Sequence, residues 1–161
     1  MIVQEMDKKE NTITAKSLKM IAEIIYCEDG HFRGELDCAH FKEPFAFSCL
    51  VRMIEMMEIT FDVKGYPEMQ LLPRSFGRSK KRIKKFELDL HKHIDENKTD
   101  IIQSKSDGRK CTFELVVNFR NHAEWQGQIY WVDKDVTRQF LSIIEMMKLI
   151  DEALVLSEAA A

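Results

Sequence analysis

The chain is poor in the features that usually announce a function. Among 161 residues there are two tryptophans, three prolines and six glycines. No apolar run approaches the ~20 residues a membrane-spanning helix needs, so no membrane association is expected. The opening stretch MIVQEMDKKENTITAKS carries acids and lacks an apolar core, and does not read as a signal peptide. Cys27, Cys38, Cys49 and Cys111 make neither a CxxC pair nor a dense framework. They read as reduced thiols of a cytoplasmic protein. The formal charge is −3, which excludes nucleic-acid binding by bulk charge but leaves room for a local basic patch.

Catalytic signatures are equally scarce. There is no GxSxG, HExxH or P-loop. His31, His40, His91, His93 and His122 are scattered, and a Cys/His metal site would need about four such ligands to converge. No catalytic residue, metal or cofactor is therefore assigned. Cys38, Cys49 and Cys111 read as core or strand residues rather than as nucleophiles.

What is present is an internal duplication. Shifted by 93 positions, Met20–Glu58 lies over Phe113–Asp151 without a gap. Gly34 falls on Gly127, Phe47 on Phe140 and Met53 on Met146; Phe32 falls on Trp125, Leu36 on Ile129 and Met57 on Ile150. Each copy reads strand, turn, strand, helix. Phe113, Leu115, Val117 and Phe119 alternate with Glu114, Val116, Asn118 and Arg120, the period of a strand with one better-buried face. The return strand places Trp125, Gly127, Ile129 and Trp131 together, which sets Phe119 opposite Trp125 and leaves Asn121-His122-Ala123 as the loop. The matching loop in the first copy is Glu28-Asp29-Gly30, with Gly30 at the position that favours a left-handed residue.

Helices led by Phe47 and Phe140 follow. Leu50, Val51, Ile54 and Met57 form one apolar stripe, and Ile143, Ile144, Met147, Ile150 and Leu154 the other. Pro44 suits the first turn of the former, and Thr137 the N-cap of the latter. The five methionines of these helices fit either core filling or an adaptable contact surface. The same pattern answers why both tryptophans fall within seven residues. Trp125 and Trp131 are expected on the inward face, under Phe140 and the helix. Phe32 and Cys38 take those slots in the first copy, with Gly34 and Gly127 leaving space for a crossing helix or ring. Ligand stacking is the alternative, and it requires an exposed indole.

Residues 62–110 connect the copies, 18–61 and 111–155, within a single domain spanning 1–161. GYPEMQLLPRSFG is a turn-rich connector. Arg74, Arg78, Lys80, Lys81, Arg82, Lys84 and Lys85 then form a run of positive charge. That run fits phosphate contact, which needs no exacting geometry, or a solvated loop. No RNP-type aromatic motif, zinc-finger spacing or helix–turn–helix pair accompanies it. Arg74 and Arg78 make the RxxxR pair of cyclic-dinucleotide-binding PilZ domains, but the Asp/Asn-x-Ser-x-x-Gly partner motif is missing. Phe86, Leu88 and Leu90 suit a strand, whereas Ile83, Phe86, Leu90 and Ile94 suit a helix, and both remain open.

Trp125, Gln126, Gly127 and Trp131, then Phe140 and the run Leu149, Ile150, Asp151, Ala153, Leu154, resemble a family of small clostridial proteins. Tyr66, Pro67, Arg74 and Phe76 are similar too. The resemblance covers about half the chain and implies no activity. The expected architecture is α+β: two strand–strand–helix units in pseudo-twofold repeat, forming a mainly antiparallel sheet with both helices on one face. The expected function is a non-catalytic macromolecule-binding or regulatory module engaging a protein partner or a second copy of itself. The alternatives are a nucleic-acid-associated accessory protein using the Arg74–Lys85 run, and a small enzyme of unknown class.

Overall fold

Strand burial follows a period of two. In a computed structural model described over residues 18–26, 32–68, 90–95, 111–121 and 124–159, eight main elements follow one another. They are β1 (Met20–Tyr26), β2 (Phe32–Cys38), β3 (Phe45–Phe47), α1 (Leu50–Lys64), β4 (Cys111–Asn121), β5 (Glu124–Trp131), β6 (Val136–Phe140) and α2 (Ile143–Ala159). The six strands form one sheet in the order β3-β2-β1-β4-β5-β6, antiparallel throughout. The fold is thus α+β with an antiparallel sheet. Met20, Ala22 and Ile24 face inward and pair with Leu115, Phe113 and Cys111, all of them buried.

Both helices cover that inward face. Phe61 of α1 meets Trp125 edge-on, with ring centroids 5.4 Å apart. Leu149 and Ala153 of α2 border a cleft with Ile129. Trp125 and Ile129 lie four residues apart on β5 and so share one side of the sheet. The aromatic neighbour of Trp125 therefore belongs to the helix of the other half, not to its own as the sequence pattern suggests.

Each half contains a third strand that the helical reading absorbed. Phe47 and Phe140 end β3 and β6 instead of leading helices, and each pairs across the sheet with a glycine, Gly34↔Phe47 and Gly127↔Phe140. A Cβ on Gly34 would run into the Glu23 carbonyl oxygen, and one on Gly127 into that of Val116. The neighbouring strand's backbone, more than a crossing helix, demands these glycines, and the Phe47 ring also lies 3.0 Å from where the Gly34 Cβ would sit. Thr137 consequently lies within β6, and Pro44 just ahead of β3.

The helices begin at Leu50 and Ile143. Cys49 makes no side-chain cap for α1. At α2 the Glu145 N–H donates to Ser142 Oγ (3.1 Å), and Glu145 Oε2 accepts from the Leu141 N–H (2.9 Å). This is close to a reciprocal capping box. Gly65 ends α1 at φ 67, the left-handed conformation that glycine adopts without strain. The buried stripe of α1 is Leu50, Met53, Met56, Met57, Thr60 and Phe61. Val51 and Ile144, placed inward by sequence, are 58% and 63% exposed. Met53, Met56, Met57 and Met146 are wholly buried, so these four fill the core.

The second hairpin departs from the expected register. Val117 pairs with Gly127, but Phe119 pairs with Gln126 and Arg120 with Trp125. Asn118 is the extra residue of a β-bulge, and it exchanges the two faces beyond it. Phe119 turns out to 58% exposure and Arg120 turns in to 2%. The paired strand continues to Asn121↔Glu124, so Asn121 belongs to β4 and not to the expected loop, whose other two residues lie outside the described ones. In the first hairpin Tyr26 pairs with Phe32, and the Glu28-Asp29-Gly30 turn lies outside the described residues.

Of the 86–94 alternatives, residues 90–95 are described. Residues 90–91 are helical and Ile94 bridges to Phe41, while the residues before Leu90, on which both alternatives turn, lie outside the described ones. Leu90 and Ile94 are both buried and belong to the main core.

Candidate functional site

The residues named from sequence divide sharply. Phe32, Gly34, Phe47, Trp125, Gly127, Trp131 and Phe140 all lie in the strands, with Phe47, Trp125 and Phe140 buried. Phe32 and Trp131 are half-buried and pack against the core. Arg74, Arg78, Lys80, Lys81, Arg82, Lys84 and Lys85 lie outside the described residues, as do His31 and His122.

Thiol and imidazole chemistry finds no support among the described residues. Cys38 is buried, and that burial pushes its thiol up to about 11. Burial likewise raises Cys111, whose Sγ lies 3.0 Å from Ser157 Oγ. Thiols so placed are poor nucleophiles, because the thiolate is the reactive form. His93 packs edge-on against Phe45 with centroids 5.5 Å apart. No cluster of three or more His, Cys, Asp or Glu side chains among the described residues is arranged to hold a metal.

The bulge at Asn118 creates a polar knot that sequence reading missed. Arg120 Nη1 donates to Asp62 Oδ1 at 2.8 Å, and Nε donates to the Pro67 carbonyl at 2.6 Å. The guanidinium lies 5.5 Å from the centre of the Phe61 ring. A buried guanidinium needs such partners, since removing it from water is costly. The knot ties the end of α1 to the β4–β5 hairpin. It is structural, because the guanidinium is buried and aimed at protein groups. The only sequence-level clue was an arginine within an apolar alternation, and period two alone placed it outward.

Two surfaces of the second half stand out among the described residues. The first is a cleft of about 260 Å³ between α2 and the sheet. Phe113, Ile129, Leu149 and Ala153 form its floor and wall, with Trp131 and Leu156 beside them and Arg138 and Glu152 at its edge. The indole Nε1 of Trp131 is buried with no hydrogen-bond partner among the described residues, a state that costs ~1–3 kcal/mol for a neutral donor. The second surface is the outer side of α2 and its approach, where Leu141, Ile144, Val155 and Leu156 are 65%, 63%, 53% and 51% exposed. Ile144 and Val155 are eleven residues apart, about three turns, and so lie on one side of the helix.

Comparison with known proteins supplies no identity: no family model, curated protein or solved structure matches this chain. None of its helices among the described residues is long and apolar enough to cross a membrane.

Proposed function

We propose that this protein is a non-catalytic interaction module, a duplicated strand–strand–strand–helix unit whose second copy binds another protein. The duplication reading is supported by strand register. Ile24↔Gly34 and Gly34↔Phe47 in the first half have counterparts 93 residues on, Val117↔Gly127 and Gly127↔Phe140. The central pair Ile21↔Glu114 joins positions that are themselves 93 apart, as a twofold axis between β1 and β4 requires. The carbonyls that forbid a side chain at Gly34 and Gly127, those of Glu23 and Val116, are also 93 apart.

One observation carries the binding reading. The two helices occupy corresponding places, yet α1 exposes Val51 alone among its large apolar residues, whereas α2 and its approach expose Leu141, Ile144, Val155 and Leu156. Scattered apolar residues are ordinary on a surface, but their concentration on one helix marks a contact site. The test is selection of a random peptide display library against the wild type and an Ile144→Asp/Val155→Asp variant. Both positions are exposed, so stability should change by no more than about 0.5 kcal/mol each. Apolar-anchored peptides held by the wild type and released by the variant support the reading. Selected peptides that the variant holds equally well overturn it.

A further inference from the structure

The two halves differ at one place that the duplication makes comparable. The cleft residues Phe113, Ile129, Leu149 and Ala153 correspond, 93 positions earlier, to Met20, Leu36, Met56 and Thr60. All four of the latter are wholly buried; of the cleft residues Phe113, Ile129 and Ala153 are nearly so, and Leu149 is only partly buried. Trp131 corresponds to the fully buried Cys38, and Arg138, at the edge of the cleft, to Phe45. In the first half the chain supplies its own cover. The segment 90–95 contributes Leu90 and Ile94 to the core, and His93 packs on Phe45. Its backbone is tied on both sides of Phe41, with the Lys42 N–H donating to the His93 carbonyl (2.8 Å) and the Asp95 N–H to that of His40 (2.6 Å). Nothing among the described residues plays this part in the second half, where the corresponding place is open.

We propose that the cleft of the second half is a docking site for a short turn of a partner protein carrying two aliphatic side chains four residues apart, as Leu90 and Ile94 are. This rests on the duplicated-module reading and names the kind of segment that the module takes. Leu90 and Ile94 show that two side chains at this spacing can enter one apolar core together. Arg138 and Glu152, which also line the cleft, offer one charge of each sign to residues flanking the docked pair.

The test uses the full chain, labelled with nitrogen-15, and a synthetic peptide spanning residues 88–96, LDLHKHIDE. Two tryptophans give two indole N–H resonances, and a Trp131→Phe variant assigns them. The expected result is a saturable shift of the Trp131 indole signal with Trp125 unmoved. A peptide with both Leu90 and Ile94 replaced by Ser should bind at least tenfold more weakly. So should the native peptide to Ala153→Phe, which fills the cleft, or to Leu156→Glu, which alters its exposed edge without touching the core. The proposal is overturned by an unmoved Trp131 signal or by unchanged affinity in both protein variants. Should the peptide instead shift backbone signals around Leu141 and Ile144 while Trp131 stays still, the docking site is refuted and the interaction module survives.

Discussion

Arg120 and Asp62 are 58 residues apart in sequence and 2.8 Å apart in space, with the guanidinium 2% exposed and the carboxylate 52%. The pair is asymmetric, since Asp62 keeps much of its hydration and Arg120 has given up nearly all of it. Replacing Arg120 with Ala removes both hydrogen bonds and strands the Pro67 carbonyl, which should cost about 3 kcal/mol. Asp62→Asn keeps an acceptor beside a partly wet site and should cost only about 1 kcal/mol. Urea unfolding of the two variants measures the difference, and equal losses would mean that burial of the arginine is not what sets the cost.

Gly34 and Gly127 make a second expectation. A methyl group at either meets a carbonyl of the adjacent strand, which can yield only by separating the strands. Each Gly→Ala change should destabilise by about 2–3 kcal/mol. The sites lie in different strand pairs, so the double variant should lose close to the sum. Thermal melts of the three proteins check this, and a mild effect at one site alone would break the correspondence between the halves.

Glu58 gives the pH dependence a definite sign. Burial, with repulsion from Asp62 next and attraction from Arg120 opposing, raises its pKa above the ordinary 4.5. The folded state then holds its proton more tightly than the unfolded state does. Its contribution to stability is fully present below about 4.5 and is lost as pH rises through the raised value. Glu58→Gln should therefore stabilise the protein at pH 7, and the gain should vanish at pH 4. Chemical denaturation at both values tests it, and a larger gain in acid would reverse the assignment.

Much of this architecture was legible in the residues. Alternation along Phe113, Leu115 and Val117 and along Trp125, Gly127 and Ile129 identified the inward face, because side-chain direction in a strand follows position directly. The pairing of Gly34 with Phe47 was hidden because Phe47 and Phe140 also fit the helical period of the residues after them. A three- or five-residue strand is too short to compete with a fifteen-residue periodic pattern. The bulge was illegible for another reason. Asn118 carries no glycine or proline to mark it, and its effect, burying Arg120 and exposing Phe119, is favourable only because Asp62 and Pro67 arrive from elsewhere in the chain. The cleft is a difference between two similar halves. It becomes visible only once Leu90 and Ile94 are seen against one of them, and their own stretch read equally well as strand or helix.

The contact of Phe61 with Trp125 has a consequence for how the molecule comes into being. The ring of one half finishes the interior of the other, so a ribosome that has released residues 1–110 has made a half with Phe61 still uncapped. The same exchange leaves either portion, taken alone, with an unfinished interior. Severed between the copies and mixed, the two pieces should regain structure only in each other's company, which makes this chain a natural candidate for a split reporter.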